Sequence, residues 1–143
     1  MIRRMEPSDI EAVAEIWLAA NLDAHSFIPA DYWRANFAPV KAALAEAEVY
    51  IYEDAGGIEG FIGLSGEHIE GLFINAPARS HGIGRRLLEL VKSMKPRLSL
   101  NVYAANTRAL SFYRREGFSV SGTGTDPATG AGDCFMTWEK EAP

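Results

Sequence analysis

Apolar residues recur along this chain at two spacings, and each change of spacing marks a change of element. Residues 1–6 read as a short strand that stops at Pro7. Ser8-Asp9-Ile10-Glu11 has the form of a capping box, in which the Ser8 hydroxyl accepts from the Glu11 N–H. Ile10, Val13, Ala14, Trp17 and Leu18 then repeat at helical spacing, which predicts a first helix to about residue 20. Residues 21–29 are loop-like. Tyr32, Trp33 and Phe37 follow on a helical segment broken near Pro39, and residues 40–47 complete an alanine-rich helix.

Residues 48–53 and 58–64 alternate as strands do, and the Gly56-Gly57 turn between them predicts an antiparallel hairpin. A third strand covers residues 67–74. Leu87, Leu88 and Val91 share one face of a helix over residues 84–95 that stops before Pro96. A strand at 98–102 precedes a helix over 107–116, with Asn106 as N-cap and Gly117 as terminator. Residues 118–120 and 133–139 read as two last strands separated by a polar loop. The order β, α, α, β, β, β, α, β, α, β, β is mixed α/β. At 143 residues the chain is expected to form a single domain, residues 1–143.

One stretch organises the rest. Leu72-Phe73-Ile74 leads through Pro77 into Arg79-Ser80-His81-Gly82-Ile83-Gly84, where a helix begins. Glycines at a helix entrance leave backbone N–H groups unpaired at the end where the dipole places roughly half a positive charge. This is an anion site suited to phosphate, and Arg79, Arg85 and Arg86 add charge around it. No Lys-Ser or Lys-Thr follows the second glycine, so it is not a P-loop, and no third glycine completes the dinucleotide pattern.

Against a net charge of −5 this arginine cluster stands out, while the absence of a long basic run argues against nucleic-acid binding. The single Cys134 leaves no internal disulfide and reads as a small apolar strand residue; no metal site is expected. No apolar run approaches the ~18 residues of a membrane span and no leader pattern is present, so a cytoplasmic protein without membrane partners is expected.

The loop Arg79-Ser80-His81-Gly82-Ile83-Gly84 resembles the acetyl-CoA signature of the GNAT superfamily of N-acetyltransferases, Gln/Arg-x-x-Gly-x-Gly/Ala. Asn106-Thr107-Arg108-Ala109-Leu110-Ser111-Phe112-Tyr113 is similar to its second signature, Asn-x-x-Ala-x-x-Phe-Tyr, at the right distance. The resemblance implies the GNAT fold, a single mixed, mostly antiparallel twisted sheet of six to seven strands flanked by about four helices. It implies acetyl-CoA as acyl donor, with the pyrophosphate on the N–H groups of Ser80, His81, Gly82, Ile83, Gly84 and Arg85 beside Arg79. The backbone of Leu72, Phe73 and Ile74 would pair with the pantetheine arm, which Asn106 would also contact. Tyr113 would protonate the departing thiolate, and Glu70 matches a position where relatives carry a base.

Asn101 stands where relatives that acetylate protein N-termini often carry a glutamate, and an amide is no base. The base therefore stays open among Glu70, Glu67, His68 and water. An acceptor site is expected near Asp23, His25, Phe27 and Tyr32, although His25 also reads as an ordinary loop residue. Carboxylates beside aromatics suit a cationic amine, and a small one is expected. The alternative is an acyl-CoA-binding regulatory or interaction protein without turnover. A homodimer is compatible with the pattern and not compelled by it.

Overall fold

The computed structural model describes residues 1–141. Its strands are β1 (Ile2–Arg4), β2 (Glu48–Asp54), β3 (Gly57–Ser65), β4 (His68–Ile74), β5 (Arg97–Tyr103), β6 (Ser119–Thr125) and β7 (Gly132–Glu139). Its α-helices are α1 (Ile10–Ala24), α2 (Ala30–Ala35), α3 (Phe37–Glu46), α4 (Ile83–Met94) and α5 (Thr107–Arg115). The strands form one seven-stranded sheet in the order β1-β2-β3-β4-β5-β7-β6. Every neighbouring pair is antiparallel except β4 and β5. Among the described residues no helix is long and apolar enough to cross a membrane.

Strand alternation sends side chains to two cores. Phe61 of β3, with Val49 and Ile51 of β2, packs against Val13, Ala14 and Ile16 of α1 and Leu44 of α3. The neighbouring Ile62 and Leu64 point the other way, toward Leu87, Leu88 and Val91 of α4 and Leu110 of α5. Leu87, Leu88 and Val91 are fully buried, and each contributes about 1.5–3 kcal/mol by leaving water. The helix layers thus lie on opposite faces of the sheet.

The sheet divides in its middle. β4 and β5 pair only through His68 with Ser99 and Ile69 with Leu100. β3 pairs Gly63 with Gly71 and then Leu64 with Ile69, so Glu70 is an extra residue with nothing opposite it, a β-bulge that bends β4. The Phe73 ring lies where a Cβ on Gly71 would stand, so the strand leaves its bulge through a residue without a side chain. Beyond Ile69 and Leu100 the two parallel strands separate and leave a fork.

The structure differs from the sequence pattern in four places. Ser8 caps nothing; Pro7–Asp9 form a 3₁₀ turn, and the Asp9 carboxylate accepts from the Glu6 N–H at 2.8 Å and from Arg3. The Asp9 carboxylate meets a backbone donor and a guanidinium together, which fixes the 3₁₀ turn and leaves α1 without a side-chain cap. α1 continues to Ala24, because the Asn21 side chain donates to the Trp17 carbonyl and stays within the helix. The aromatic segment breaks at Asn36 instead of Pro39, giving five α-helices where about four were expected, because Pro39 falls in the first turn of α3, where no N–H is needed. β6 extends to Thr125 through residues expected to be loop, since its partner β7 supplies the ladder that its Gly, Ser and Thr residues do not signal.

Candidate active site

The turn Ala76–Ala78 and the α4 entrance build the donor side from backbone. Ser80 has φ 67 and Gly82 has φ 79, so successive N–H groups turn toward one side. Gly82 takes this left-handed conformation freely as N-cap, whereas Ser80 holds it at a cost of about 1 kcal/mol or more. Among the described residues, no acceptor meets the N–H groups from Ser80 to Arg85; the first paired one is Arg86, which donates to Gly82 at 3.1 Å. An alanine Cβ at Gly84 would meet Phe112 at 3.5 Å and Ile74 at 3.8 Å, ordinary contacts.

From this loop a groove of about 790 Å³ runs past Leu72, Phe73 and Ile74 at the fork to Asn106 and Tyr113. Arg79, Arg85, Arg108 and Arg115 line it, against Asp23 and Glu116 as its acidic residues. The sequence placed Asp23 among acceptor residues; it lies instead on this groove, paired with Arg79 at 2.6 Å, and that guanidinium holds its carboxyl below the usual range. His81 is exposed, with its ring Nδ1 3.2 Å from the Ala78 carbonyl, and does not line the groove.

A second cavity, about 260 Å³, opens in the fork and shares its floor with the groove at His25, Asn106 and Tyr113. Glu70 reaches it because the bulge turns that residue out of the β3 ladder. Its charged lining is Glu70, Asp126 and Asp133, and its aromatic lining includes Trp17, Trp33 and Tyr103. Among the described residues no lysine or arginine lines it. Tyr103 donates to Asp126 at 2.6 Å; burial and this bond raise the phenol, and the same bond lowers the carboxyl.

Tyr113 is the one catalytic candidate common to groove and cavity, on the buried face of α5. Burial pushes its phenol above the ordinary range; at neutral pH the group carries its proton with or without that shift. Asn106 caps α5 by accepting from the Ala109 N–H at 3.2 Å. His25 is not a surface loop residue: it is the C-cap of α1, 7% exposed, bonded to Asn21 and Asn106.

Phe27 and Tyr32 do not line the cavity. Phe27 is exposed and stands edge-on to His25 and Tyr103, and Tyr32 stands edge-on to Trp33, so both buttress the wall from outside. Sequence reasoning missed Asn21, Tyr103, Asp126 and Asp133. The alternation of Leu98, Leu100 and Val102 with Ser99, Asn101 and Tyr103 carried a signal for Tyr103; Asp126, in a polar loop, carried none. Among the described residues no cluster of His, Cys, Asp and Glu is arranged to hold a metal ion.

Comparison with known proteins gives this geometry a family. A family model described as an acetyltransferase (GNAT) domain matches residues 45–120. The chain is 33% identical over 140 residues to the Escherichia coli peptidyl-lysine N-acetyltransferase YiaC, covering 96% of each. It is 35% identical over 122 residues to the E. coli peptidyl-lysine N-acetyltransferase YjaB, covering 85% of this chain and 83% of that one. The solution structure of apo YjaB superposes with a TM-score of 0.86 at 31% identity, over 96% of this chain and 95% of the other. An N-acetyltransferase from Thermoplasma acidophilum, solved in complex with coenzyme A, shares the fold at a TM-score of 0.80 and 20% identity over 98% of both chains. The glycine loop at the α4 entrance, the forked sheet and these matches agree: the chain belongs to the GNAT family and is an acetyl-CoA-dependent N-acetyltransferase.

Proposed function

We propose that this enzyme acetylates the ε-amino group of lysine residues in peptides or proteins. The observation that carries the reading is the cavity in the fork, whose charged lining is Glu70, Asp126 and Asp133 beside the rings of Trp17, Trp33 and Tyr103. A lysine side chain is an apolar stem with a cationic tip, and aromatic walls with carboxylates suit both parts. The names of the YiaC and YjaB relatives favour a lysine within a polypeptide over the small free amine expected from sequence.

The transfer runs directly from thioester to amine. The lysine arrives as ammonium, and Glu70, directly or through a water, takes one proton. The freed nitrogen attacks the thioester carbonyl carbon; a C–N bond forms while the carbonyl oxygen takes up charge. Backbone donors along Leu72, Phe73 and Ile74 stabilise that oxyanion, a contribution of about 3 kcal/mol in comparable sites. The C–S bond then breaks and Tyr113 gives its proton to the thiolate; the second amine proton passes to Tyr113 and restores the phenol, and Glu70 releases the proton it took to solvent. The N–H groups of Ser80, Gly82, Ile83, Gly84 and Arg85, with Arg79, hold the pyrophosphate.

The test uses a lysine-containing peptide blocked at its N-terminus, with thiol release and product mass as readouts. Acetylation at the ε-amine is expected, with the arginine-substituted peptide inert. Tyr113→Phe should lower kcat about a hundredfold and leave acetyl-CoA affinity intact. Turnover of spermidine at an equal or higher kcat/KM than the peptide would overturn the lysine reading.

A further inference from the structure

A hydrogen-bonded chain joins the end of α1 to the start of α5 across 81 positions of sequence. Asn21 Nδ2 donates to the Trp17 carbonyl at 2.8 Å, so its Oδ1 faces His25 Nδ1 at 3.0 Å. At the other end Asn106 Oδ1 accepts from the Ala109 N–H, so its Nδ2 faces His25 Nε2 at 3.1 Å. Backbone groups thus orient both carboxamides, and these fix the imidazole as the neutral tautomer that donates from Nδ1 and accepts at Nε2. Burial lowers the His25 pKa and favours that neutral ring.

We propose that His25 is a positioning residue for acetyl-CoA, holding the Asn106 carboxamide so that its second Nδ2 proton serves the donor arm in the groove. Asn106 lines the groove, and among the described residues that second proton meets no protein acceptor. The arm of the donor carries amide carbonyls that need one. The ring cannot swing away: Trp33, Tyr103 and Phe27 stand 5.5, 4.9 and 5.6 Å from it, centroid to centroid. Without His25 the carboxamide is held only by its capping bond, and rotation about χ2 exchanges donor for acceptor toward the groove. The inference does not depend on which amine is acetylated.

The test is a double-mutant cycle on affinity for acetyl-CoA, measured by calorimetry at a temperature where every variant is folded by circular dichroism. His25→Leu is expected to weaken binding about tenfold, and His25→Gln to restore most of it, since Oε1 can accept from Asn106 while Nε2 donates to Asn21. In an Asn106→Ala background, His25→Leu should change affinity less than twofold. Affinity for adenosine 3′,5′-bisphosphate, which lacks the arm, should be the same in wild type and His25→Leu. Additive losses in the cycle, no rescue by glutamine, or equal weakening of the bisphosphate would overturn the proposal. Should His25→Leu fail to fold, Asn21→Ala removes the Nδ1 partner with the ring packing kept, and the same cycle is read on it.

Discussion

The arginine-lined groove and the cavity in the fork, proposed above as donor and acceptor sites, meet at Tyr113 and are built from different material. The groove's anion end is backbone, with the N–H groups of Ser80 to Arg85 fanned by the left-handed Ser80 and Gly82. The cavity is side chain: Glu70 from a bulge, Trp17 from α1, Trp33 from α2, Tyr103 from the end of β5, Asp126 and Asp133 from around the last hairpin. Backbone recognition is encoded in a few adjacent residues and tolerates changes of side chain that stay out of the way. Side-chain recognition is encoded at distant positions, each of which matters for its chemistry. Donor and acceptor affinity should therefore be separable by substitution.

The sharpest break in that comparison is at Gly84. Gly84→Ala fits the space beside Phe112 and should bind acetyl-CoA within about threefold of wild type. Gly84→Asp puts a carboxylate over the N–H cluster and should weaken binding by at least about a hundredfold with the fold intact by circular dichroism. Equal loss in both variants would mean that the backbone reading of the loop is wrong. On the acceptor side Asp126→Asn removes one of the cavity's charges and weakens the acceptor that Tyr103 meets. It should raise the KM for a lysine peptide about tenfold, or ~1.4 kcal/mol, and leave acetyl-CoA affinity unchanged. A matching fall in acetyl-CoA affinity would show the two sites to be one.

A smaller effect lies at their junction. The folded-state pKa of His25 is below its ordinary 6.5, so the unfolded chain binds the proton more readily. Its contribution is complete above pH 6.5 and declines as pH falls toward the folded value, by at most ~1.4 kcal/mol per pH unit. The depressed carboxyls of Asp9, Asp23, Glu48, Glu53 and Asp126 start from 3.8 to 4.5 and act lower. Melting temperature should thus drop between pH 7 and 5 in wild type and change less in His25→Gln. An unchanged slope in the variant would assign the titration elsewhere.

The same contrast governs what the sequence disclosed. Helix α4, the hairpin of β2 and β3, the Asn106 cap and the glycine loop before α4 rest on local signals: periodicity, glycines, capping residues. They fell within a residue or two of their places. The predicted Ser8 cap of α1 is absent because Pro7–Asp9 turn as a 3₁₀ helix whose Asp9 carboxylate is held by the Glu6 N–H and by Arg3, on another element. The fork was invisible because a bulge at Glu70 is a matter of register against β3, and nothing local in His68-Ile69-Glu70-Gly71 states which residue goes unpaired. His25 read as loop for the same reason, its partner Asn106 being 81 positions away.

The fork also has a kinetic meaning. Past Ile69, β4 keeps β3 on one side and has no strand on the other, and β5 past Leu100 is likewise open toward it. The halves of the sheet are therefore joined by a two-pair ladder, and their facing amides are expected to exchange with solvent as edge amides do. An extended chain with its own amides, lying between them, closes the gap. If acetyl-CoA lies there as proposed, it is both reactant and missing strand, and its binding should slow exchange of the β4 amides past Ile69.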